Sequence, residues 1–203
     1  MNPGSVVATV CGGIVAPGIP AGRAWDGHGW GSAHEATLGR RQEDSDALEC
    51  LSAVQLCSTL LDVTYRDHGN DVRAFAAAVE GILDEVNADR IAVPLATGTH
   101  IDHMLTRDGA LAALKVRGVT DVFFYADMPY FNGHATDEIA HDLHAIPIEL
   151  PPADDSARAL KREAVAKYRS QLPLLKKVFR RSFRSIFLPE AESLYKHERA
   201  LRP

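Results

Sequence analysis

The chain has 203 residues and a formal net charge of −5, with 46% hydrophobic and 24% charged residues. That composition is ordinary for a globular protein, suits one domain over 1–203, and can bury roughly 70% of the unfolded surface without staples. The overall charge gives no general reason to expect nucleic acid or an anionic membrane as partner, and no run approaches the roughly 20 apolar residues needed to span a bilayer.

In chain order, Val6-Val7-Ala8-Thr9-Val10-Cys11 ends at Gly12-Gly13. It is short, apolar and glycine-terminated, which predicts a buried strand of a parallel sheet. It is not read as a signal peptide, because no Lys or Arg precedes it. Residues 12–34 form a long Gly- and Pro-rich loop holding Trp25, Asp26, His28, Trp30 and His34. Loops of that length are commonly functional. Its tryptophans either stack on a ligand such as a sugar or pack over the sheet edge. Glu35 to Ala53 is predicted as helix, with Ala47, Leu48, Leu51 and Val54 at helical spacing and Arg40, Arg41, Glu43 and Asp44 on the polar side. Arg40 and Glu43 are spaced for a surface ion pair.

Ser58 to Tyr65 is predicted as a second strand. Asn70 is the expected cap of a helix whose stripe is Val72, Phe75, Val79, Ile82, Leu83 and Val86. A strand over Arg90 to Leu95 leads through a loop into a helix ending near Val116, with Gly118 at its C′ position. Val122 to Tyr125 is the next strand. Asp127 to His144 is expected to be irregular, its His134, His141 and His144 being solvated or a second metal site. Ala145 to Leu150 is expected as an edge strand, where Pro147 is tolerable. Asp154 or Asp155 caps a long helix to about Leu175, which Pro173 should kink or end. Lys176 to Arg184 carries five basic residues among Val178, Phe179 and Phe183. Such a segment either covers the fold's edge with its charges in water or meets a membrane surface or acidic partner. The alternation of strands and helices gives an α/β three-layer fold with a mostly parallel sheet and right-handed crossovers. Cys11, Cys50 and Cys57 are odd in number and lack Cys-x-x-Cys spacing, so they are read as buried free thiols of a reducing, cytoplasmic compartment.

The stretch richest in chemistry is Ala96-Thr97-Gly98-Thr99-His100-Ile101-Asp102-His103, between a strand and a helix. In open α/β sheets ligands sit outside the carboxyl ends of strands, where this loop lies. Two imidazoles and a carboxylate within four residues suit a metal or acid-base site. On spacing alone, Asp102 could equally be an N-cap and the histidines solvated.

His100-Ile101-Asp102-His103 after Pro94-Leu95 resembles the second motif of the PIG-L/LmbE-like zinc-dependent N-acetylglucosaminide deacetylases, with Ala96 in place of a glycine and Gly98 kept. Arg40-Arg41-Gln42-Glu43, Tyr125-Ala126-Asp127-Met128-Pro129-Tyr130 and Tyr168-Arg169-Ser170-Gln171 resemble three further family segments in the same order. The resemblance covers roughly Val6 to Gln171. It implies a Rossmann-like fold and hydrolysis of an N-acyl group from an amino sugar or its glycoconjugate. It makes His103 a zinc ligand, His100 the group that polarises the acyl carbonyl or stabilises the oxyanion, and Asp102 the residue that tunes His100. Arg40, Tyr125 and Trp30 would face the substrate.

The family's first motif, Pro-His-x-Asp-Asp, is not in this sequence. It supplies two zinc ligands and the base, and its strand would lie before Met1, so the chain is read as N-terminally truncated relative to the family. Three readings stay open: a longer active protein; a short form that recruits Asp26, His28, His34 or Glu35; or a non-catalytic sugar-binding or assembly module. A chain lacking that strand is expected to pair with another chain or copy, possible homo-oligomers included. A nucleotide-binding Rossmann enzyme fits the architecture less well, since Cys11-Gly12-Gly13-Ile14 is a poor substitute for Gly-x-Gly-x-x-Gly.

Overall fold

The computed structural model describes residues 4–22, 26, 29–66, 71–88, 90–98, 100–130 and 133–198. They group into two compact units, Met1–Asp67 with Ala153–Pro189 and His68–Pro152 with Glu190–Pro203.

In the first unit, β1 (Val6–Thr9) and β2 (Val54–Cys57) pair in parallel, Val6 opposite Val54 and Thr9 opposite Cys57. Between them runs α1 (Ala33–Cys50). Its Ser32 cap accepts from the Glu35 N–H at 3.2 Å, while the Glu35 carboxylate accepts from the Gly31 N–H at 2.9 Å. The first satisfies a donor that a helix start leaves orphaned, and the second ties the residue before the cap to the first turn. The helix thus starts two residues before its predicted position and stops at Cys50.

The strand expected over Ser58–Tyr65 is a misreading, because pairing ends at Cys57. The Ser58 hydroxyl donates to the Val10 carbonyl and accepts from the Leu60 N–H, and Gly13 N–H donates to the Leu60 carbonyl, so the backbone turns there. The unit is completed from far along the chain by α5 (Asp155–Ala166), which packs on α1, and α6 (Leu172–Val178). Pro173 begins α6 rather than kinking one long helix. Proline is welcome at a helix start, where its missing N–H costs nothing.

The polar side of α1 joins these distant pieces. Glu43 accepts from both the N–H and the hydroxyl of Ser170, at 2.8 and 2.7 Å, in the turn between α5 and α6. Asp44 accepts from Thr9 Oγ1 at 3.3 Å and from the Tyr168 hydroxyl. The expected Arg40–Glu43 pair does not form; Glu43 is held by Ser170, and Arg40 turns to Asp26 at 3.1 Å.

In the second unit, α2 (Val72–Glu85) precedes β3 (Ile91–Pro94), then come α3 (Ile101–Val116), β4 (Val122–Tyr125), α4 (Gly133–Asp142), β5 (Ala145–Ile148) and, after the first unit's second segment, β6 (Leu194–His197). The strand order is β3-β4-β6-β5. β3 and β4 are parallel, and β6 runs antiparallel to both its neighbours. β5 lies at the edge, which tolerates Pro147. Asn70 lies outside the described residues; Asp71 caps α2, accepting from the Arg73 N–H at 2.9 Å. The expected irregular stretch contains α4, and β6 was not anticipated.

Phe75, Val79, Ala110, Ala113 and Leu114 are buried between α2 and α3, under the sheet residues Val93, Val122 and Phe124. The helices approach so closely at Gly109 that a Cβ there would stand 2.6 Å from Phe75 Cβ and 2.8 Å from the Ala76 nitrogen.

Two predictions follow from these contacts. Gly109→Ala gains about 1 kcal/mol of helix propensity yet is expected to destabilise the protein by a net ~1–3 kcal/mol, because backbone atoms cannot yield to the added methyl; urea unfolding reads the sign. Burial pushes the Asp44 carboxyl above its ordinary range, opposed by the Tyr168 and Thr9 hydrogen bonds. The folded state therefore keeps this proton to higher pH than the unfolded chain, and stability falls as pH rises above the ordinary carboxylate range. Asp44→Asn is expected to lessen that fall in unfolding curves taken from about pH 4 to pH 7, and an unchanged slope contradicts it.

Candidate functional site

In the second unit, β3 ends where the Leu95 N–H donates to the Tyr125 carbonyl at 2.8 Å. Ala96 then takes φ 59°, a left-handed conformation costing a residue with a Cβ about 1–2 kcal/mol. Thr97 N–H donates to Oδ2 of buried Asp127 at 3.1 Å. At Gly98 a Cβ would lie 2.8–3.0 Å from the Tyr130 side chain, so this position must be glycine for Tyr130 to close on the loop. His100 caps α3 with extended backbone, placing Ile101 at the first helical position.

This geometry gathers His100, Asp102 and His103. The two imidazole centroids are 4.9 Å apart, and the Tyr130 ring meets them edge-on at 6.2 and 5.1 Å. Ligand atoms of His100 and Asp102 lie within 4.8 Å of each other. Asp102 is buried. His103 Nδ1 stands 3.3 Å from Asp127 Oδ1, an ion-pair distance without hydrogen-bond alignment. A carboxylate at one ring nitrogen fixes a histidine's orientation and leaves the other nitrogen for a metal. His100 Nδ1 is buried with no hydrogen-bond partner among the described residues. A buried polar atom left in that state costs about 1–3 kcal/mol unless a ligand satisfies it. Asp127 and Tyr130 were not singled out as site residues from the sequence; the available signal was their position just past a strand's carboxyl end. Tyr125 is the last residue of β4 and is 42% exposed.

Arg40 and Trp30 belong to the first unit. Arg40 pairs with Asp26, which is 1% exposed and whose carboxyl is pushed up by burial against the opposing pull of Arg40. Trp30 packs its ring across Gly39 of α1, where no Cβ would fit, and its Nε1 is buried without a partner among the described residues. Nearby, a cavity of about 240 Å³ opens beyond the carboxyl ends of β1 and β2, lined by Arg40, Arg41, Asp44, Cys57, Tyr168 and Gln171 among others. Of the alternative ligands, His34 Nδ1 lies 2.7 Å from the Val15 carbonyl and Glu35 caps α1. Trp25 and His28 lie outside the described residues, as does the His134 side chain. His141 is solvated, 89% exposed beside Asp142.

No protein-family model and no curated protein matches the chain. Solved structures do. The A40926 pseudoaglycone deacetylase Dbv21 superposes with a TM-score of 0.75 at 25% identity, over 96% of this chain and 84% of that one. The zinc-inhibited form of teicoplanin deacetylase Orf2 gives 0.74 at 27%, over 96% and 87%. A deacetylase–teicoplanin complex gives 0.72 at 25%, over 94% and 85%. The chain thus has the mixed α/β, Rossmann-like fold of these deacetylases.

Proposed function

We propose that the protein is a deacetylase-type hydrolase that removes an N-acyl group from an amino sugar carried on a glycoconjugate. The observation that carries this reading is the His100–Asp102–His103 cluster on the β3–α3 turn, with Asp127 behind His103, in a fold similar to glycopeptide deacetylases. His103 suits a zinc ligand, since the carboxylate at Nδ1 leaves Nε2 as donor. A catalytic zinc takes about three protein ligands, so His103 is one of a larger set. When bound, zinc supplies Lewis-acid polarisation of the acyl carbonyl. Asp127 is the positioning residue for His103. His100, with its buried and unpartnered Nδ1, is placed to steady negative charge developing on the acyl oxygen, and Asp102 tunes it. Tyr125, at the end of β4 in the same unit, is assigned to the sugar or its aglycone, while for Arg40 and Trp30 of the first unit that assignment rests on the family resemblance alone. The substrate class is an amino-sugar glycopeptide or related glycoconjugate, in keeping with the teicoplanin and A40926 pseudoaglycone deacetylases, and its N-acetylglucosaminyl form follows the family resemblance. The three cysteines, half-buried rather than buried and in no disulfide, suit a reducing compartment, the cytoplasm, and no helix of the described residues is long and apolar enough to cross a membrane.

Open strand edges favour a second reading, a sugar-binding or assembly module. Among the described residues β1 and β2 of the first unit and β3 and β5 of the second each pair on one side only, leaving strand edges open to a partner.

The readings separate by experiment. Elemental analysis is expected to find near-stoichiometric zinc, lost in His103→Ala, with metal affinity down about 10–100-fold in Asp127→Asn. Free-amine release from an N-acetylglucosaminyl glycopeptide should fall in parallel. Absence of zinc and of amine release, with sugar binding that still quenches tryptophan fluorescence, selects the module. Sedimentation equilibrium is expected to show self-association, and a monodisperse monomer contradicts the partner-strand expectation.

A further inference from the structure

We propose that the Lys176–Arg184 face of the first unit docks on an anionic lipid bilayer. These nine residues hold Lys176, Lys177, Arg180, Arg181 and Arg184 and no acid, a local charge of +5 in a chain of net −5, which leaves −10 on the remainder. All five are exposed, and none has an ion pair or hydrogen bond among the described residues. Several cations elsewhere are paired with acids: Arg40 with Asp26, Arg90 and Lys196 with Asp121, Arg117 with Asp84, Lys167 with Glu163. In an acidic chain, five cations left without a carboxylate are a surface addressed to something outside it.

The face is held in shape from beneath. Leu174 and Ile186 are buried, Phe179, Phe183 and Phe187 are half-buried, and the rings of Phe183 and Phe187 meet edge-on at 5.6 Å. What remains outside with the cations is aliphatic: Val178 is 58% exposed and Leu188 47%. Phosphate groups at a bilayer surface match the cations, and its acyl boundary accepts the two aliphatic side chains. A single-stranded nucleic acid would need exposed rings for stacking, and the segment's rings are turned inward. The remainder of the chain carries −10 and is on balance repelled by the same surface, so this face supplies the attraction.

The test is co-sedimentation of the full chain with vesicles of phosphatidylcholine containing about one third phosphatidylglycerol, and with phosphatidylcholine alone, at about 0.1 M and about 0.5 M salt. Binding is expected only to the anionic vesicles, and to be lost at high salt. Each cation neutralised, as in Lys177→Gln or Arg181→Gln, should lower partitioning about fivefold. Val178→Ser with Leu188→Ser should weaken binding without altering its salt dependence. Equal binding to both vesicles, no binding at low salt, or full binding by a folded five-site Gln variant overturns the proposal. So does a preference for polyglutamate or an RNA oligonucleotide over the anionic vesicles. The wild-type comparison stands even if a variant fails to fold, and none of these residues lies in the proposed deacetylase site, so the two ideas fail separately.

Discussion

The carboxylate of Asp127 is the constraint on which the site depends. One oxygen receives the Thr97 N–H and the other faces His103, so a single buried group fixes both the loop leaving β3 and the first turn of α3. It can do so because β3 and β4 are parallel and in register, Pro94 opposite Tyr125. Chain leaving both strands therefore emerges at the same end, and residues 95–98 meet residues 126–130. An antiparallel pairing would send those segments to opposite ends of the sheet. Ala96 absorbs the backbone cost of the arrangement in its left-handed conformation, and Gly98 provides the clearance for Tyr130.

The polar side of α1 plays the comparable part in the first unit. Four residues within five positions reach five separate partners: Arg40 to Asp26, Arg41 to the Gly12 carbonyl, Glu43 to Ser170 and Asp44 to Thr9 and Tyr168. This helix buries few large side chains, only Leu48 among its long aliphatics. Its docking relies on hydrogen bonds and ion pairs that are partly desolvated, where they count for more than on an open surface.

What the sequence revealed was whatever local pattern could encode. His100-Ile101-Asp102-His103 after an apolar run reads as strand, loop and helix, and its side chains do come together. The stripe of α2 reads correctly because Phe75 and Val79 recur at helical spacing and are buried. What stayed hidden needed tertiary information. Helical spacing suggested Arg40 with Glu43, but burial of Asp26 made it the stronger partner, and Ser170 lies 127 positions from Glu43. The role of Asp127 depends on register between two strands, which neither strand specifies alone. β6 was missed because Leu194-Tyr195-Lys196-His197 carries no apolar run of its own, and its place is fixed by antiparallel pairing with β4 and β5, which is tertiary information. The break after Ala166 was missed because Pro173 was read as kinking or ending one long helix instead of beginning a second.

The Glu43–Ser170 clasp also bears on how the chain acquires its structure during synthesis. The first unit draws on residues on both sides of the second, and the second takes its penultimate strand in spatial order from the far end of the chain. On a ribosome, α1 emerges long before the serine that locks it, and β4 before the β6 that shields its flank. Neither unit can finish by folding as it appears. Long-range closure of this kind slows folding and lengthens the exposure of apolar surface until the last strand has been made.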